Sequence, residues 1–264
     1  MPSWIPDQYL KFKEERTRPC HDLAGRIFVE RVRRVADLGC GPGNSTEVLA
    51  KRWPDAEFTG VDNAAAMIDT ARREQPKHQW IERDIAEWAV AESRLFDVVF
   101  SNAALQWVPN HETIMPGLLA RTAPNGVLAF QVPANFDAPA HRLMRSMASS
   151  AAWLGEVADR VREWHVHDMS YYYDLLAPYC SRIDAWDTEY FQILPDAAAI
   201  VEWYRGTGLR PFLDTLPTDT ERERFVDQYA EGIRRLYPPR PDGRVLFPFL
   251  RRFVIAYKAD EYLK

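Results

Sequence analysis

Cysteine is scarce in this chain of 264 residues: Cys20, Cys40 and Cys180 are the three copies, and they lie far apart. They fit neither a metal-ligand spacing nor a disulfide framework, so no metal is expected and a reduced, cytoplasmic setting is. Long apolar runs are missing as well, which excludes a membrane-spanning helix. Residues Met1 to Lys13 hold no apolar segment of secretory type, so no signal peptide is expected. Nor is there a basic excess. Lys and Arg number 33 against 38 Asp and Glu, a formal charge of −5, which argues against a nucleic-acid partner but not against a local basic pocket. Repeats and low-complexity segments are absent, so a single domain over residues 1–264 is the expectation. A monomer is the expected state, although the sequence does not fix it. Aromatics, by contrast, are plentiful. Nine Trp, 11 Tyr and 13 Phe call for a large core or an aromatic-lined cavity.

The first half alternates short apolar runs with helical patterns, as βαβ units do. Strands are expected at Arg33–Leu38, Glu57–Val61, Gln79–Arg83, Phe96–Ser101 and Gly126–Val132. Helices are expected at Ser45–Arg52, Ala64–Arg73 and Glu112–Thr122. In the second half, helices are expected at Ala138–Ala152, Gly155–Val166, Ala197–Gly206 and Thr220–Leu236. Strands are expected at Tyr190–Leu194 and Arg252–Tyr257, with a Pro-rich loop at Tyr237–Pro241. The fold class is therefore α/β: a Rossmann-like, seven-stranded, mostly parallel sheet with helices on both faces and helical lid insertions. Residues 1–29 read as an N-terminal lid segment, 30–133 as a binding core, and 134–185 and 196–250 as helical insertions around the sheet.

The sharpest motif is Val35-Ala-Asp-Leu-Gly-Cys-Gly-Pro-Gly-Asn44, in which an apolar strand ends in Asp37 and three alternating glycines lead into a helix. Glycine permits a sharp turn and close approach of a ligand, and a helix N-terminus offers unpaired N–H groups. Such a turn would suit a pyrophosphate. Three details argue otherwise. The spacing is G-x-G-x-G, not G-x-G-x-x-G. Asp37 stands where it would repel phosphate. A further acid, Asp84, follows the third strand. A cationic, phosphate-free ligand matches that lining better. Each piece alone also has an ordinary reading: Asp62 and Asp84 as helix or turn caps, Met67 as core, Cys40 as a small loop residue.

Taken together and in order, these motifs resemble the class I S-adenosylmethionine-dependent methyltransferases. The resemblance covers roughly residues 30–133. Asp37-Leu-Gly39-Cys40-Gly41-Pro-Gly43 is similar to the family's glycine-rich motif, and Gly60-Val-Asp62 to the second-strand acid that holds both ribose hydroxyls. Asn63 and Met67 fall where the family packs the adenine. Arg83-Asp84-Ile85 resembles the segment that reads the adenine amino group and ring. Phe96 to Asn102, followed by Ala-Ala-Leu-Gln-Trp107, resembles the segment beside the methionine part. The resemblance implies S-adenosyl-L-methionine as cofactor, with Asp37, Gly39, Cys40, Gly41, Asp62, Asn63, Met67, Asp84, Ile85 and Asn102 binding it.

A more detailed resemblance is to the trans-aconitate methyltransferases, which esterify a carboxylate of a small tricarboxylic acid. It rests on Trp4 to Phe12, Glu15-Arg16-Thr-Arg18-Pro19, Asn102 to Trp107 and Glu202 to Pro211. It implies a small acidic substrate. Arginine forks suit carboxylates, so Arg16, Arg18, Arg205 and Arg240 are candidates, with Arg210 and Arg244 beside them; a surface role is an equal alternative for each. Tyr9, Phe12, Trp107, Tyr171 and Trp203 are candidate pocket walls, and His21 and His167 candidate donors. His78, His111 and His141 read as surface or loop residues. A carboxylate is ionised at neutral pH and needs no general base, so no catalytic side chain is expected and the work is positioning. A phenol or amine acceptor would want a base. A non-catalytic cofactor-binding module is the remaining alternative.

Overall fold

The computed structural model describes residues 13–153 and 164–260, with side chains from residue 17 onward. The chain divides into two compact units. One comprises residues 13–133, 164–188 and 251–260; the other comprises 134–153 and 189–250.

The first unit is a parallel α/β layer. After helix α1 (Lys13–Gly25) come β1 (Arg34–Leu38), α2 (Asn44–Arg52), β2 (Glu57–Asp62), α3 (Ala65–Glu74), β3 (Gln79–Glu82), α4 (Ile85–Ala91), β4 (Phe96–Asn102), α5 (His111–Ala120), β5 (Thr122–Pro133) and α7 (Met169–Leu176). The strands β6 (Cys180–Leu194) and β7 (Val245–Lys258) each contribute one part to each unit. The sheet has seven strands in the order β3-β2-β1-β4-β5-β7-β6. Pairs β3/β2, β2/β1, β1/β4 and β4/β5 are parallel, and β5/β7 is antiparallel. This is the Rossmann-like sheet expected from the sequence.

The central strands are buried on both faces, which is why β1 and β4 read as near-continuous apolar runs. Leu38, Val61, Val99, Leu128 and Phe130 pack against Trp88, Met115, Leu118 and Tyr172. Each such side chain contributes roughly 1.5–3 kcal/mol when fully buried. The carboxylate of Asp97 accepts the Arg33 and Arg34 amides at 2.7 and 2.9 Å and so ties the start of β1 to β4.

The second unit holds α6 (Pro139–Ala148), α8 (Ala197–Arg205), α9 (Arg210–Leu213) and α10 (Asp219–Leu236). A capping box, Thr218 with Glu221, opens α10. Its core is aromatic: Trp153 against Phe225 (5.1 Å), Phe212 stacked on Phe225 (6.0 Å), and Trp203 against Phe247 and Phe249 (5.9 and 5.6 Å).

Several boundaries differ from the sequence reading. Helices α1, α4 and α7 were not expected. Two of them are short, and α7 begins with Met-Ser-Tyr-Tyr-Tyr, which carries weak helix propensity. The helix expected over Gly155–Val166 falls mostly outside the described residues, and 164–166 are not helical. β6 begins ten residues before Tyr190 because its first part is polar and half-exposed. β7 begins seven residues before Arg252 and includes Pro248. Residues 164–185, placed in an insertion by the sequence, group with the sheet unit. No helix among the described residues is long and apolar enough to cross a membrane.

Candidate functional site

The site forms at the carboxyl ends of β1, β2, β3 and β4, where an open parallel sheet receives its ligands. The loop after β1 carries Gly39 and Gly41 at φ +70° and +54°, conformations that side chains with a Cβ adopt only with strain. A Cβ on Gly39 would lie 2.0 Å from that of Ala104, whereas a Cβ on Gly41 would enter open space among the described residues. Gly39 is therefore required by packing, and Gly41 borders a void.

The amide hydrogens of this loop are already taken. Gly39 and Cys40 both donate to the Val61 carbonyl (2.7 and 3.1 Å), Gly41 to Asp62 Oδ2 (2.9 Å) and Gly43 to the Cys40 carbonyl (3.0 Å). A phosphate-binding turn would present these donors to its ligand. This one turns them inward and leaves carbonyls and carboxylates in place, a lining that favours a cation.

Three acids end or follow the first three strands, each held differently. Asp37 is fully buried. Its Oδ2 accepts from Ser45 Oγ and Thr46 Oγ1, both at 2.6 Å, and its Oδ1 has no partner among the described residues. Burial pushes its pKa up to about 6, against the lowering effect of the two hydroxyls, with a smaller upward push from Asp62. Asp62 is half-buried and bridges two backbone amides, Gly41 to Oδ2 and Ala64 to Oδ1, each at 2.9 Å. Its pKa is raised by burial and held back by those amides. Since each carboxylate oxygen offers two lone pairs, both keep one for a ligand. Asp84 caps α4, accepting from Ala86 at 2.8 Å, as one of its ordinary readings had it.

The remaining expected residues separate by role. The Cys40 thiol joins a small cluster with Ile68, Ala71 and Trp80 and donates to the Gly41 carbonyl at 3.6 Å. Burial pushes that thiol's pKa up, consistent with an unreactive side chain. Met67 is buried, Asn63 exposed, and Ile85 opens α4, where its amide has no acceptor within the helix. The Asn102 amide, at the tip of β4, meets the Gln131 amide at 2.9 Å. Trp107 is half-buried, its ring 6.2 Å from that of Trp164.

Among the substrate candidates, Tyr9, Phe12 and the side chain of Arg16 lie outside the described residues. Arg18 and His21 are exposed on α1. Trp203 is a core residue of the helical unit rather than a pocket wall, packed by Phe247 and Phe249. Arg205 is engaged by Glu223 at 2.6 Å and Glu202 at 3.7 Å, and Arg240 and Arg244 are exposed in a turn closed by Gly243. His167 stacks on Tyr171 at 4.0 Å, and the Tyr171 hydroxyl reaches Glu112.

The reading of His111 and His141 as surface residues is corrected by the structure: their exposures are 0 % and 3 %. Both ring nitrogens of His111 are used within the fold. Nε2 donates to the Leu105 carbonyl (3.0 Å), which can only accept, so Nδ1 accepts from the Tyr172 hydroxyl (3.1 Å). Burial lowers the His111 pKa and keeps the ring neutral. This pairing is not legible in the linear chain, because residues 61 apart meet only when α7 packs on α5.

Comparison with known proteins fits this geometry. Residues 35–126 match the methyltransferase-domain family. The chain is 46% identical over 258 residues to trans-aconitate 2-methyltransferase of Azoarcus sp. (strain BH72), spanning 98% of this chain and all of the relative. It is 48% identical over 260 residues to the protein of the same name from Rhodopseudomonas palustris (strain BisB18), again 98% of this chain and all of the relative. The chain belongs to the trans-aconitate 2-methyltransferase family. As a member it is an S-adenosylmethionine-dependent methyltransferase. Solved structures agree on the fold of this methyltransferase. YcgJ from Bacillus subtilis superposes with a TM-score of 0.58 at 12% identity over 92% of this chain and all of that one. Phosphoethanolamine N-methyltransferase 2 from Haemonchus contortus, captured with S-adenosylmethionine, gives 0.55 at 14% over 92% of this chain and 52% of that one.

Proposed function

We propose that this methyltransferase esterifies one carboxylate of trans-aconitate, taking the methyl group from S-adenosylmethionine bound at the tips of β1 to β4. The observation that carries the cofactor site is the inward-turned glycine loop, whose Gly39, Cys40, Gly41 and Gly43 amides are all bonded inside the protein beside three carboxylates. Support for the acid comes from full-length relatives of that name.

The residues fit the cofactor. Gly41 leaves room for close approach, Asp62 keeps a lone pair on each oxygen for two ribose hydroxyls, and Asp84 with the Ile85 amide faces the adenine edge. Met67 and Asn63 flank the ring, Asn102 borders the methionine part, and Asp37 adds negative potential behind the loop. When bound, S-adenosylmethionine supplies a methyl group made electrophilic by a sulfonium.

The chain's task is then to bring an ionised carboxylate to about 3 Å from that methyl, opposite the sulfur, and to exclude water. No proton needs removal. His111, the histidine nearest the end of β4 in sequence, has both nitrogens committed and offers no base. A phenol or amine acceptor would need one. The setting we propose is a monomer in the cytoplasm, without a nucleic-acid partner, in keeping with a net charge of −5 and the buried free thiols of Cys20, Cys40 and Cys180.

Incubation with labelled methyl donor and a panel of di- and tricarboxylates tests the reading. A base-labile ester, formed best on trans-aconitate, is expected. Label transferred only to amines or phenols would reject it.

A further inference from the structure

A cavity of about 330 Å³ lies at the amino ends of the parallel strands. Its lining includes the first residue of four of them: Arg34 of β1, Glu57 of β2, Gln79 of β3 and Phe96 of β4. The glycine loop and the acids stand at the other end of the same strands. β1 runs from Arg34 to Leu38, so about 13 Å separates its two tips. The volume is that of a small-molecule site.

Charge in the lining is uneven. Arg34, Lys77 and Arg94 are cationic, and Glu57 is the one acid. Arg94 is already compensated. Its Nε and Nη2 donate to Glu92 at 3.0 and 2.8 Å, and Glu57 offsets its charge further. Arg34 and Lys77 are not: neither side chain has an ion pair or a hydrogen bond among the described residues. Asp97 takes the Arg34 backbone amide and leaves the guanidinium alone. Two uncompensated cations thus border one cavity in a chain of net charge −5.

The rest of the wall is fixed. Arg94 Nη1 and Thr59 Oγ1 both donate to Gln79 Oε1, at 3.0 and 3.3 Å. That oxygen is used twice, so the Gln79 NH2 group remains as a neutral donor. Phe58 and Phe96, both buried, give an apolar floor. His78 stands edge-on to Phe58 at 5.0 Å, with its Nε2 sealed from solvent. Burial and the Lys77 charge lower its pKa.

We infer that this cavity binds a small anion with two or more acidic groups, carboxylate or phosphate, held by Arg34 and Lys77 with the Gln79 amide as a further donor. An arginine fork matches either group bidentately, and a lysine supplies a point charge. A cleft lined by one sign of charge over apolar walls concentrates ions of the other sign. The ligand binds alongside the cofactor, at the far end of the strands from the methyl group, and is not methylated there. The inference does not depend on which acid accepts the methyl.

Titration calorimetry on the full chain, saturated with S-adenosylhomocysteine, tests this with citrate and pyrophosphate as probes. One or both should bind, which also tells carboxylate from phosphate. The double variant Arg34→Gln, Lys77→Gln should weaken that binding at least about tenfold. Affinity for S-adenosylhomocysteine should stay within about twofold. Both residues are exposed, so the variant should fold. Citrate held in an acceptor pocket at the cofactor end would be indifferent to these changes. The His78 ring gives a second readout. Its NMR signals, assigned with His78→Gln, should show a pKa that rises when the anion offsets Lys77, and none of that rise in the double variant. Binding of neither probe overturns the inference. So does binding that the double variant retains, or a His78 pKa unmoved by saturating probe.

Discussion

Asp62 Oδ2 accepts the amide hydrogen of Gly41 at 2.9 Å, so the acid of the second strand fixes the glycine loop of the first. A residue proposed to hold ribose also shapes the turn beneath it. Removing the carboxylate therefore acts twice.

Asp62→Ala should weaken S-adenosylmethionine binding by about 1–3 kcal/mol, through lost hydroxyl partners and a loosened loop. Asp62→Asn, which still accepts at one oxygen, should lose less. Titration calorimetry reads both; equal affinity for wild type and the Ala variant would take Asp62 out of the site.

The two glycines separate packing from ligand room. Gly39→Ala drives a Cβ into Ala104 and should cost stability as well as binding. Gly41→Ala meets nothing among the described residues and should cost only about 1 kcal/mol of stability for its positive φ, while cofactor affinity drops much further. Thermal melts beside binding isotherms decide this. If Gly41→Ala binds normally, the open space beside it is not where the cofactor lies.

Asp37 and His141 give opposite pH dependences. Burial raises the Asp37 pKa to about 6, so the folded sheet unit favours the protonated acid. Its contribution is present below about pH 4 and is lost as pH rises through 6, on the order of 3 kcal/mol. His141, in the helical unit, is edge-on to Phe136 and Tyr204, and burial lowers its pKa to about 3. Its contribution is present above pH 6.5 and is lost as pH falls toward 3, on the order of 5 kcal/mol. Asp37→Asn should abolish the first slope in the sheet unit, since one amide oxygen can still accept from Ser45 and Thr46. His141→Phe should abolish the second in the helical unit. Hydrogen exchange followed peptide by peptide across pH 4–7 resolves the two, and a slope that survives its substitution has another source.

Much of the binding core was legible in the linear chain, for a physical reason. A parallel strand buried on both faces needs an unbroken apolar run, and the turn after β1 needs glycine where φ is positive. Val35 to Gly43 and Phe96 to Asn102 are therefore local signals, written within ten residues. The order of Asp37, Asp62 and Asp84 follows from the same βαβ repeat. What the three acids bond to was not legible. Whether Asp84 caps a helix or faces a ligand, and whether Asp37 lines a cleft or is sealed behind one, depends on chain that arrives from elsewhere.

The amino-acid sequence by itself determined the sheet, its ligand-binding end and a phosphate-free cofactor, because those follow from periodicity, glycine spacing and the sign of nearby charge. Only the tertiary structure decided which polar side chains are buried. Arg205 and Arg251 look alike in a string of letters. One finds Glu223 on a surface; the other reaches Gln131 across antiparallel strands, 120 residues away. Burial, which sets the strength of every charge, is a property of packing between distant segments, and no local pattern encodes it.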